Sequence, residues 1–118
     1  MNINPLIEEA FKDFEVDGEK IPISFISHEG ETPTYLTYYT WSLIPDNFAD
    51  DTHNFEVCYG TIDVWSNKNY KNVVESVKKT LKENNFIWTD NGAEMFDENT
   101  GYFHVPINFY IMGGVEND

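Results

Sequence analysis

Cys58 and His104 are the residues whose types point most directly to nucleophilic chemistry, because a thiol becomes an effective nucleophile only beside a base that takes its proton. Cys58 stands inside the apolar run Phe55 to Ser66, where a thiol ordinarily behaves as a small buried hydrophobe, so the pair is not expected to meet. Asp46, Asp50, Asp51 and Asp63 carry the hard oxygen ligands that calcium takes. They lack the alternating spacing of a calcium-binding loop and read as solvated acids. His28 and His53 stand in polar loops with no partner at ligand spacing. The chain has no Gly-rich phosphate loop, no nucleophile elbow, and no His-x-x-x-His or Cys-x-x-Cys pair. The expectation is therefore no catalytic residue, no metal site and no cofactor.

Charge narrows the function classes further. The 118 residues hold 21 Asp and Glu against seven basic residues, for a formal net charge of −14 at pH 7. All seven basic residues are Lys. Nucleic-acid binders neutralise phosphates with Lys and Arg, so an acidic chain without arginine is a poor candidate for one, and the same sign opposes anionic membranes. A single Cys excludes an internal disulfide, and with three scattered His it cannot build a structural zinc site. The apolar runs are short and the segment Met1-Asn2-Ile3-Asn4 lacks a basic region, so neither a membrane span nor a signal peptide is expected and the chain reads as cytoplasmic where it is made.

The distribution of charge is uneven. Lys68 to Asn85 contain five Lys and two Glu, a local balance of +3 that leaves −17 for the remainder. A subunit that assembles against a charged neighbour can use such an asymmetry. Lys78, Lys79 and Lys82 are the candidate interface residues of this basic face, set against the plainer reading of a solvated helix surface.

The length sets one α+β domain spanning 1–118. Asn4-Pro5 opens a helix over about 4–14, with Leu6, Ile7, Ala10, Phe11 and Phe14 on one stripe and Gly18 closing the segment. A strand at about 21–26 follows, with Pro22 marking an edge or a start. Residues 34–42 form the strongest strand signal, with Tyr35, Tyr39 and Trp41 on one face and Leu36 and Tyr38 on the other. Aromatics on both faces require helices on one side and a partner, or more chain, on the other. In the strand 55–66 the apolar set switches from Phe55, Val57 and Tyr59 to Ile62 and Val64, which places a bulge near Gly60.

A second helix over about 69–84 carries Tyr70, Val73, Val74, Val77 and Leu81 inward, with Glu75 and Lys79 as an i,i+4 pair and Asn84-Asn85 as a left-handed exit. Strands at about 86–89, 94–97 and 102–111 follow, and Pro106 argues for an edge or bulge in the last. The order α-β-β-β-α-β-β-β predicts a mostly antiparallel sheet packed with two amphipathic helices. The connection Ile44 to Asn54 is acidic and longer than a hairpin needs, which marks it as functional or disordered. Phe48 within it anchors either to its own domain or to a neighbour.

These residues carry a resemblance. Ile23-Ser24-Phe25, the run Pro33 to Tyr39, Asp50-Asp51 and the strand end Ile62-Asp63-Val64-Trp65-Ser66 resemble small tail proteins of long-tailed bacteriophages and prophages of Gram-positive bacteria. The helix 69–84 with Asn85-Phe86-Ile87-Trp88, then Met95 to His104 and Phe109-Tyr110, is similar to the C-terminal pattern of the same family. The resemblance spans most of residues 20–112 and contains no catalytic signature.

That family is the tail terminator, or tail-to-head joining, group. The resemblance implies a structural subunit without enzymatic activity that closes a ring, most often a hexamer, at the head-proximal end of the tail tube. It implies the major tail tube protein and head-neck connector proteins as partners, DNA passing through without specific binding, no membrane, and a place in the virion neck after assembly in the host cytoplasm. Asp46, Asp50 and Asp51 are expected on an acidic lumen, where phosphates find no cations. Another head-tail connector component, or an acidic DNA mimic or immunity-type inhibitor seated in a basic enzyme, are the alternative readings.

Overall fold

The computed structural model describes residues 2–42 and 55–114. It is an α+β fold built on one mixed, mainly antiparallel sheet. The elements in chain order are α1 (Asn4–Phe11), β1 (Glu15–Val16), β2 (Glu19–Lys20), β3 (Ile23–Phe25), β4 (Thr34–Ser42), β5 (Phe55–Ser66), α2 (Lys71–Glu83), β6 (Ile87–Asn91), β7 (Met95–Asp97) and β8 (Tyr102–Gly114). The sheet runs β3-β4-β5-β8-β6, with β7 also pairing to β8. Every pairing in it is antiparallel except β3 with β4.

Alternation along β4, β5 and β8 sorts the side chains onto two faces. Leu36, Val64 and Val105 lie across from one another, as do Tyr38, Ile62 and Ile107. All six are buried and form the core with Ile7 and Phe11 of α1 and Val73, Val74, Val77 and Leu81 of α2. Both helices therefore pack on one face. Each fully buried aliphatic side chain of this layer contributes about 1.5–3 kcal/mol over its exposed state.

Local chemistry differs from expectation at several points. Helix α1 stops at Phe11, and Gly18 instead forms, with Asp17, the two-residue turn of the β1–β2 hairpin, at φ values of 81° and 52°. An Asp-Gly pair with both residues left-handed is the hairpin turn that matches strand twist. Asn4 does not cap α1. Asn2 Oδ1 accepts from the Asn4 backbone N–H at 3.0 Å, while Asn4 Oδ1 accepts from the Thr40 hydroxyl at 2.8 Å.

No bulge occurs at Gly60. β5 keeps unbroken register with β4 and β8 throughout, and the change of apolar parity reflects two faces that both carry large side chains. The irregularity falls in β6, between Trp88 and Asp90. Strand β8 is central rather than an edge. Pro106 is tolerated because its carbonyl accepts from Gly92 N–H at 2.8 Å on the side where β6 ends and β7 has not begun. Its nitrogen faces that same break, where no ladder donor is needed. Pro22 immediately precedes β3, which is the opposite edge, as expected.

Candidate functional site

The face of the sheet away from the helices is lined by aromatic rings in two rows. One row crosses the sheet through Tyr35, Trp65 and His104, which are register partners. Trp65 and His104 stack at 3.9 Å between centroids, Tyr35 and Trp65 at 6.0 Å, and His28 closes the row on Tyr35 at 4.2 Å. The other row is Trp41, Tyr59 and Tyr110, with centroids 5.8 Å apart at each step. Cross-strand aromatic pairs of this kind stabilise a sheet and also leave a broad, stiff surface.

Between the rows lies a band of satisfied polar groups. His104 Nε2 and Asp63 Oδ1 are 2.7 Å apart, Trp65 Nε1 donates to Thr37 Oγ1 at 2.9 Å, and the Thr61 hydroxyl donates to Asn108 Oδ1 at 2.8 Å. Burial and the neighbouring Tyr102 push the Tyr35 hydroxyl above the ordinary tyrosine value. The outer part of the face stays in water, with Tyr39 at 43%, Trp41 at 44% and Met112 at 55% exposure.

Cys58 and His104 are on opposite faces of this sheet. Cys58 is buried on the helix side and pairs in register with Ile111, whereas His104 pairs with Trp65. The arrangement does not bring His104 to the thiol. Asp63 is engaged with His104, and among the described residues no group of three or more His, Cys, Asp or Glu is gathered to hold a metal ion. Asp46, Phe48, Asp50 and Asp51, together with His53, lie outside the described residues.

The three lysines converge. Lys78, Lys79 and Lys82 border a groove of about 530 Å³ between α2 and β6, whose apolar lining is Phe86, Ile87 and Trp88. Lys78 Nζ stands 4.3 Å from the Trp88 ring centroid, a cation–π contact, and 3.5 Å from Glu75 Oε2. Glu75 thus pairs with Lys78 at i,i+3 rather than with Lys79. Phe86 is buried and edge-on to Phe109 at 5.2 Å, while Ile87 and Trp88 are 45% and 42% exposed. The charge distribution of the sequence identified the lysines but not the apolar floor. Phe86-Ile87-Trp88 beside a Lys-rich helix end was the available signal.

No helix among the described residues is long and apolar enough to cross a membrane. No protein-family model matches the chain, and no curated protein sequence matches it.

Proposed function

We propose that this chain is a structural subunit of a long-tailed phage, the tail terminator or tail-to-head joining protein, which assembles into a ring at the head-proximal end of the tail tube. The observation that carries this reading is the second sheet face, where Trp41, Tyr39 and Met112 remain in water although both helices cover the other side. Large apolar side chains left in water together on one face are the kind of surface that serves protein contacts. The resemblance of residues 20–112 to tail proteins supplies the kind of assembly, and the net charge of −14 suits a ring through which DNA passes without adhering.

Native mass spectrometry of the purified protein, alone and mixed with tail tubes of the phage whose genome encodes it, tests the reading. Closed rings on or after contact with tubes are the expected result. Persistent monomer at high concentration and on tubes, with tight salt-sensitive binding to a basic nuclease instead, would overturn it in favour of an inhibitor.

A further inference from the structure

The two edges of the sheet carry complementary features. At one edge, β3 ends in Phe25 at 48% exposure and is followed by Ile26 at 62%. Ile26 is held at φ 66°, a left-handed conformation that a β-branched residue rarely adopts. Two backbone bonds fix it there: Ile26 N–H donates to the Tyr38 carbonyl at 2.8 Å, and Ser27 N–H to the Phe25 carbonyl at 2.7 Å. The same exposed segment continues into the acids Glu29 and Glu31. At the opposite edge, β6 and α2 form the groove floored by Ile87 and Trp88 and bordered by Lys78, Lys79 and Lys82.

One residue of each feature, Phe25 and Trp88, sits on the helix side of the sheet. Phe25 pairs in register with Tyr38, and Trp88 with Phe109, which are both core residues of that face. A neighbour placed edge to edge in the same orientation therefore brings its knob to this groove on the same side, the condition for a head-to-tail contact that repeats by rotation. Strain retained at a solvent-exposed apolar residue is the kind of feature that persists for a binding role.

We propose that the lysine-bordered groove receives Phe25 and Ile26 of a second copy of the chain, with Glu29 and Glu31 of that copy meeting Lys78, Lys79 and Lys82. The proposal rests on the ring reading and names its contact. Apolar insertion supplies the affinity, and the charges set orientation and association rate.

Ile26→Asp removes the knob and leaves the groove, whereas Trp88→Asp does the reverse. Each variant is first shown to be folded by circular dichroism and thermal melting. Sedimentation velocity should show each one self-associating roughly tenfold or more weakly than wild type. An equimolar mixture should form a one-to-one heterodimer and nothing larger, because only one competent contact remains. Should either variant not fold, the pair Lys78→Glu with Lys82→Glu and the pair Glu29→Lys with Glu31→Lys serve the same design, each weakening assembly and their combination in one chain restoring it. Variants that assemble like wild type overturn the contact while leaving the ring intact. A stalled heterodimer beside a wild type that never closes supports the contact and overturns the ring. Monomer in wild type and in the mixture alike, at high concentration and in the presence of tail tubes, overturns both.

Discussion

Gly60 lies beneath the ring of Phe109 across the β5–β8 ladder, so closely that a Cβ at position 60 would stand 2.5 Å from Phe109 Cζ. Phe109 is 1% exposed and packs edge-on against Phe86, so moving its ring disturbs the core. Gly60→Ala is therefore an overpacking change in the middle of a central strand. It should cost about 1–3 kcal/mol, read as a lower urea midpoint with unchanged slope. A midpoint equal to wild type would show that the ring moves freely and that Gly60 is not a packing requirement.

Ile26→Asn tests the strain at the β3 edge. Asn tolerates the left-handed region that Ile26 occupies at φ 66°, and the residue is largely solvent-exposed, so little packing is lost. The folded monomer should gain about 1 kcal/mol, a rise of roughly 4 °C in Tm. Self-association should weaken in the same variant. A lower Tm would mean that the Ile26 side chain contributes more to the fold than its backbone costs.

Tyr38 sets an alkaline limit. Its hydroxyl donates to Glu8 Oε2, and burial first, then that hydrogen bond and charge, raise its pKa well above the ordinary 10.0. The raised value means that the stabilisation is complete below the unfolded pKa and is lost as pH climbs past it, because the unfolded chain ionises while folded Tyr38 keeps its proton. Between about pH 9 and about pH 11, the urea midpoint of wild type should fall more steeply than that of Tyr38→Phe. Parallel curves would remove Tyr38 as the cause.

His104 and Asp63 form the polar centre of the exposed face. Asp63 is 9% exposed, so His104→Ala leaves a buried carboxylate without this partner and should cost about 1–3 kcal/mol. Replacing both, as Asp63→Val with His104→Phe, should recover most of that loss, because an apolar cross-strand pair needs no hydrogen bond. Chemical denaturation of the two variants decides it. A double variant no better than His104→Ala would show that the pair is required for more than mutual satisfaction.

Strong periodicity was the part of the fold that the sequence made legible. The bounds of 34–42 and 55–66 and the buried stripe of α2 follow from β-branched and aromatic enrichment and from 3.6-residue spacing, which are local signals. The left-handed exit at Asn85 follows from its side chain in the same way. The β1–β2 hairpin was missed because two-residue strands carry no periodicity, although Asp17-Gly18 held the turn signal. The parallel β3–β4 pairing and the central position of β8 are non-local choices that alternation cannot distinguish. Of the candidate site, the lysines were legible by composition. The groove was not, because it depends on Trp88 and Ile87 arriving beside α2 from a different element.

The central proposal is a ring that joins a phage tail to its head, and removing the coding sequence from its genome of origin tests this most directly. Electron microscopy of the resulting lysate should show filled heads and separate tails whose head-proximal tips lack a ring, with joining restored when the purified protein is added. Intact, infectious virions assembled without the protein would contradict the account.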